Sequence, residues 1–580
     1  MSSYDRFPHI KAGKEEEVIR GYDAIIQKIQ SSGNERNRII AVETYPGVRD
    51  EELIPQFARL NPDLFLDMKS VFLGEAEMNE AMKPWLTDDR VFGRMFFGSV
   101  SDFFDPIALD KARKEVSRTE GLTVIYGFGA SLIARADLVV YCDLARWEIQ
   151  KRYRAGMGNY NCSNWDEDIL RKYKRGYFVE WRMADRLKAD LLETIDWLID
   201  TNAKADPKMI SGTALRNALF KAAHEPFRLV PYFDPGVWGG QWMKSHCNLD
   251  PEPANYAWSF DGVPEENSLL LRFGTTDVEI PAMDLTLYQP RALLGEKNYA
   301  RFGAEFPIRF DFLDTMEGQN LSLQVHPLTE YIHRSFGMAY TQDESYYLLD
   351  AKEDACVYLG VKTGTKPEEM ISALQEAQKT GSFDAQAYVN RIPAKKHDHF
   401  LIPAGTIHCS GKNAMVLEIS ATPYIFTFKL YDWGRVGLDG RPRPINIEHG
   451  RHVIQWNRTT EWVRNHLVNR FEKISENADY SEEKTGLHEL EFIETRRYTI
   501  RSSMEMDLKG SVSMCNLVDG TAAVIESMDG SFEPFEVHYA ETFILPSTLG
   551  RIRFRPVHGE VMILRAYVRG SFVDGKKSSV

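Results

Sequence analysis

Gln324, His326, Glu344 and His408 have the side-chain types of a nitrogen/oxygen metal site. In the stretch LSLQVHP, strand alternation puts Ser322, Gln324 and His326 on one face and Leu321, Leu323 and Val325 on the other. The apolar face suits a core; the Ser/Gln/His face must meet water, a ligand or hydrogen-bond partners. Glu344 lies eighteen residues beyond His326 and opens another strand, and the turn Pro403-Ala404-Gly405 leads to His408. Two imidazoles, one carboxylate and one amide suit zinc. With a neutral Gln the loaded site carries a charge of about +1, which keeps the metal a good Lewis acid. A single strand histidine is more often a core or surface residue, so the weight rests on the four together. His397 and His399 in KKHDHF form a rival H-x-H pair, and His333 is a further candidate.

The elements that must position these residues are short strands. From about Phe227 they alternate with Gly and Pro turns, as in FPIRFDFL, SYYLLD, ACVYLGV, FLIPAGTI and MVLEIS. That texture predicts a β-sandwich or jelly roll. Helices are expected over 366–379 and 454–471, and the charged segment 474–484 reads as a linker. His399–Gly405 echoes Thr542–Thr548, each a strand running into a turn, which would suit two copies of one barrel.

The first two hundred residues differ. Val18, Ile19, Tyr22, Ile25, Ile26 and Ile29 recur at helical spacing, and the run Ile39–Val42 reads as a buried strand before the turn Tyr45-Pro46-Gly47. Further strands at 122–126 and 138–142 alternate with helices, which predicts a parallel sheet covered on both faces. Arg146, Lys151, Arg152 and Arg154 read as a solvated helix face.

At 580 residues the chain is too long for one core. A formal charge of −14 argues against nucleic acid as a partner. Six scattered cysteines fit a reducing compartment, and no signal-like or membrane-length apolar run is present. The expectation is a cytoplasmic protein without a membrane partner.

The segments LSLQVHP, IPAGTIH with Gly411, VLEIS and YDWGRVGLDGRPRPINIEHG resemble, in order, the signature segments of type I mannose-6-phosphate isomerases. VPYFDPGVWGGQWMK resembles that family's opening strand and Trp-Gly-Gly turn. The resemblance implies a double cupin with helical insertions, one zinc per chain on Gln324, His326, Glu344 and His408, and an aldose–ketose isomerase acting on a sugar phosphate. It implies catalytic roles for Lys429, Asp432 and Arg435 and substrate contacts for Ser322, Trp238 and Lys412. The pattern departs from the family at three places. Lys429 replaces an Arg, Gln342 stands where a phosphate-binding Lys is usual, and Asp311 falls where many relatives have a Lys. Arg334, Lys412 and Arg435 could restore the charge. The leading expectation is interconversion of mannose 6-phosphate and fructose 6-phosphate. The alternatives are a different or unphosphorylated sugar, or a sugar-sensing cupin with weak turnover.

The N-terminal stretch IIAVETYPGVRDEEL and the run from Gly121 to Arg154 resemble a P-loop, uridine-kinase-like core, but G-x-x-x-x-G-K-[ST] is absent. Nucleotide binding is therefore not expected. The domains expected are 1–215 (α/β, three-layer, degenerate kinase-like), 216–495 (metal-binding cupin) and 496–580 (metal-free cupin).

Overall fold

Apolar runs flanked by turns dictate the sheets of both halves of the chain. The structure, a computed structural model, describes residues 2–32, 38–421, 426–438, 440 and 443–573. It divides into two compact units. One comprises His9–Lys221 and Ser268–Tyr288; the other comprises Met1–Pro8, Ala222–Asn267 and Gln289–Val580. Among the described residues, no helix is long and apolar enough to cross a membrane.

In the first unit the strand Arg38–Thr44 is central, paired in parallel with Leu122–Gly127 on one side and Leu138–Asp143 on the other. Leu64–Asp67 and Trp197–Asp200 extend the parallel sheet outward. Taken in chain order, the five parallel strands lie 2-3-1-4-5 across the sheet. Two antiparallel strands, Lys208–Ser211 and Ile19–Arg20, complete seven. The three central strands are almost wholly buried, as expected of a sheet covered on both faces. The first helix begins at Tyr22 rather than Val18, because Gly21 at φ 79° breaks the chain between the short strand and the helix.

On the basic helix Arg146–Arg154 the expectation of a solvated face holds for Lys151 and Arg154 but not for the other two arginines. Arg146 and Arg152 are buried. The Arg146 guanidinium meets Asp185, and that of Arg152 donates to the carbonyls of Gly47, Thr201 and Asn202. Nearby, the buried Lys188 ammonium donates to both Asp143 oxygens at 2.9 and 2.8 Å and to Asp284 at 3.0 Å.

The second unit contains two pairs of antiparallel sheets. The first pair joins a six-stranded sheet that includes Arg309–Asp314, Glu344–Ala351, His399–Ile402 and Ala414–Ser420 to a five-stranded sheet that includes Leu323–Val325, His408–Ser410 and Phe428–Tyr431. The second pair shares one apolar core, in which Ile500, Leu517, Phe543 and Ile563 of one sheet meet Met504, Ile525, Val537 and Phe554 of the other. The echoed segments lie at equivalent places, with His399–Ile402 and Thr542–Leu545 each forming an edge of a six-stranded sheet.

Two expectations are corrected here. The charged segment 474–484 is not a linker. It lies within the hairpin Glu472–Glu476 and Tyr480–Gly486, at the sheet edge where solvent-facing charge is normal. The helix expected over 454–471 is confined to Thr460–His466, because Gln455–Arg458 turns first and sends Arg458 inward. The helix expected over 366–379 is present as Pro367–Thr380.

The Lys188 triad sets a stability test. Lys188→Ala leaves Asp143 and Asp284 buried without their cation and should cost about 3–5 kcal/mol, read from the urea unfolding transition.

Candidate metal centre

Pairing register brings together three side chains that are far apart in sequence. In the five-stranded sheet Gln324 lies directly opposite His408 on one side and Lys429 on the other. Glu344 opens a strand of the six-stranded sheet. His326, Glu344 and His408 are each at most 1% exposed. Their ligand atoms all lie within 4.8 Å of one another, and among the described residues no other group of His, Cys, Asp and Glu side chains does the same.

Both imidazoles are oriented from behind. His326 Nδ1 donates to the Phe426 carbonyl at 2.9 Å, and His408 Nδ1 donates to the Thr406 carbonyl at 2.9 Å. That tautomer leaves each Nε2 lone pair facing inward, as metal-bound histidines require. His326 Nε2 lies 3.1 Å from one Glu344 oxygen, and His408 Nε2 lies 2.8 Å from the other. Yet His326 Nε2 and Glu344 Oε1 make no well-formed hydrogen bond. Orphaned buried polar atoms facing one point fit a cation, which would satisfy all of them at once. Burial alone would raise the Glu344 carboxyl, but His326 and His408 hold it well below the usual range. Burial likewise lowers the His326 imidazole, and Glu344 overrides this and raises it. A metal arriving here displaces a proton. The Gln324 amide is 3.2 Å from His408 Nε2, and a half-turn about its last bond presents oxygen to the same point.

Of the supports behind these ligands, Gln342 and Asp311 stood out in the sequence only as departures from the family pattern, and Arg458, Asp343 and Glu418 not at all. The Arg458 guanidinium donates to the carbonyls of Pro403 and Ala404 at 2.6 and 2.7 Å and to the Thr406 hydroxyl, clamping the turn that delivers His408. Asp343 accepts from the Ala404 amide at 2.7 Å. Gln342 donates to Glu344 at 3.0 Å and to Glu418 at 3.2 Å, and its carbonyl accepts from the Phe426 amide at 2.8 Å. Asp311 is buried beside Arg309, 3.5 Å away, and burial pushes its carboxyl up to about 6. Burial and the facing Glu344 and Asp311 push Glu418 well above the usual carboxylate range.

The other expected residues divide into two groups. Ser322, Asp432 and Arg435 form one cluster, in which the Ser322 hydroxyl donates to Asp432 at 2.7 Å and Arg435 pairs with the same carboxylate at 2.5 Å. Arg443, which the sequence did not single out, closes on the other Asp432 oxygen at 2.7 Å. Arg435 also donates to the Asn320 carbonyl, and the Asn320 side chain accepts from the Lys412 amide. Lys412 itself is exposed and pairs with Asp354 at 3.1 Å. Burial, then the charge of Arg443, pushes the Lys429 ammonium down to about 7. Trp238 is 1% exposed and packs edge-on against Trp258.

The rival histidines stand apart. His399 bonds Ser345 at 2.8 Å and burial pushes it down to about 3, whereas His397 bonds Tyr347 and Asp519. His333 is exposed on the helix Thr329–Phe336.

Arg458→Lys should weaken divalent-metal binding at the cluster by about 10–100-fold, because it loosens the His408 turn without touching a ligand. Competition with a chromophoric chelator measures this.

Comparison with known proteins gives two separate likenesses. Residues 21–224 match a family described as a domain of unknown function, DUF8485. The chain is 28% identical over 237 residues to mannose-6-phosphate isomerase ManA of Bacillus subtilis (strain 168), covering 40% of this chain and 68% of that one. It is 24% identical over 338 residues to mannose-6-phosphate isomerase of Streptococcus mutans serotype c, covering 57% of this chain and 95% of that one. Among solved structures, the mannose 6-phosphate isomerase from Bacillus subtilis superposes with a TM-score of 0.48 at 18% identity, over 59% of this chain and 99% of that one.

Proposed function

We propose that this chain is a zinc-dependent aldose–ketose isomerase that interconverts mannose 6-phosphate and fructose 6-phosphate through an enediol. The observation that carries the proposal is the convergence of His326 Nε2, His408 Nε2 and the Glu344 carboxylate on one buried point, with two of those atoms lacking a hydrogen-bond partner. The names of the relatives matched over this half of the chain support the same reaction. One zinc per chain would be held by Gln324, His326, Glu344 and His408. When bound, zinc supplies Lewis-acid stabilisation of negative charge developing on the sugar oxygens.

Isomerisation also needs a base that takes the proton from C2 and returns it at C1. Lys429 stands opposite Gln324 in the sheet, and its ammonium makes no ion pair among the described residues. Its depressed pKa makes a neutral amine available near pH 7, which a guanidinium could not supply. Asp432 and Arg435 act by fixing the strand end and the Ser322 hydroxyl. Lys412, exposed beyond Asn320, completes the proposed substrate surface, whereas Trp238 is buried against Trp258 and would act only as packing.

One observation favours a second reading, an unphosphorylated sugar. Arg435 is held by Asp432 and Lys412 by Asp354, so two of the cations that could receive a phosphate are already paired. For the N-terminal unit, the strand order 2-3-1-4-5 supports kinship with P-loop kinases that have lost the phosphate loop.

The test is ketose formation from mannose 6-phosphate and from free mannose, with zinc present and after chelation. Zinc-dependent turnover of mannose 6-phosphate is expected; turnover of free mannose alone would replace the substrate, and none on any sugar would overturn the enzyme reading. Lys429→Met should lower kcat by about 10²–10⁴-fold with zinc content unchanged, and Lys429→Arg should not restore it.

A further inference from the structure

A cavity of about 460 Å³ opens in the N-terminal unit, far in sequence from the metal centre. Its walls come from the carboxyl ends of parallel strands. Val48, Asp50 and Glu51 follow the central strand Arg38–Thr44, and Lys69 follows Leu64–Asp67. The loop Met157–Trp165 closes the opposite side. Crevices outside the carboxyl ends of an open parallel sheet, where the strand order reverses, are where such folds take ligands, and the volume lies within the usual range of about 300–1,000 Å³.

The site is built rather than incidental. Buried Lys172 gathers the carbonyls of Tyr153, Met157 and Trp165 at 2.8, 3.1 and 2.9 Å, fixing the closing loop. Asp50 is held from two sides, by the Tyr126 hydroxyl at 2.7 Å and the Lys69 ammonium at 2.6 Å. Glu75 accepts from the Ser163 amide at 2.8 Å and its hydroxyl at 2.7 Å. Trp165 stays 60% exposed at the rim.

The charges disfavour an anion. Asp50, Glu51 and Glu75 face the space with one cation, Lys69, which is already paired with Asp50. Part of the backbone that a phosphate would need is also occupied. The Tyr45 and Val48 amides donate within the fold. The amides of Gly129 and Ser131, beyond the next strand, are satisfied by the carboxylate of Glu43. Oriented carboxylates accept hydroxyl hydrogens, amides such as Asn161 both donate and accept, and an exposed indole offers a face to the C–H side of a pyranose. We infer that this crevice binds an unphosphorylated sugar, independently of the reaction at the metal centre.

The test uses the full chain with zinc removed, titrated calorimetrically with D-mannose, D-glucose and D-fructose, and separately with mannose 6-phosphate and ATP. Saturable binding of at least one free hexose is expected. Trp165→Ala and Glu51→Gln should each weaken it at least tenfold while the melting temperature and any isomerase turnover stay unchanged. His326→Ala, in the other unit, should leave it intact, which separates this site from the isomerase reading. Absence of saturable hexose binding, binding indifferent to both crevice substitutions, or ATP or sugar-phosphate binding abolished by Trp165→Ala would each overturn the proposal.

Discussion

A carboxylate buried between two imidazoles is the arrangement on which the rest of the second unit turns. Glu344 is withdrawn from water, and a buried charge survives only when paired or coordinated. His326 and His408 provide that partnership because each ring is tied by its far nitrogen to a backbone carbonyl. The carbonyl at Thr406 belongs to a turn that Arg458 and Asp343 hold in place. Sheet register, turn geometry and tautomer therefore serve one requirement: lone pairs must converge where a proton or a cation can satisfy them.

That requirement also accounts for the acidic residues behind Glu344. Asp311, Glu418 and Glu344 are buried close together, with Arg309 as the main facing cation. Full ionisation of all three would be strongly unfavourable at such separations. The structure relieves this through Gln342, a neutral amide donating to two of the carboxylates, and through raised affinity for protons at Asp311 and Glu418. Gln342 and Asp311, where the resemblance implied lysines, thus both belong to the buried network around Glu344.

How much of this was legible in the sequence follows from which forces are local. LSLQVHP shows its own alternation, and a strand is present there, shortened to Leu323–Val325 and buried on both faces. The central strand around Ile39–Val42 and its parallel neighbours were legible for the same reason, since apolar runs mark doubly covered strands. Arg458 and Arg443 were not legible as site residues, and Gln342 only as a missing cation, because their significance lies in partners distant along the chain. Arg146 and Arg152 misled because a basic helix looks solvated until buried acceptors are found for it. The hairpin at 472–486 misled because edge strands carry charge on their open side, as linkers do.

The central claim is that these three buried side chains, with Gln324, form one zinc site. Native mass spectrometry of the zinc-equilibrated chain, beside Glu344→Gln and His408→Ala, tests it most directly. The account predicts one tightly held zinc per chain in the unsubstituted protein and loss of that ion in both variants. An unsubstituted chain that takes up no zinc, or variants that keep it at full occupancy, would contradict it.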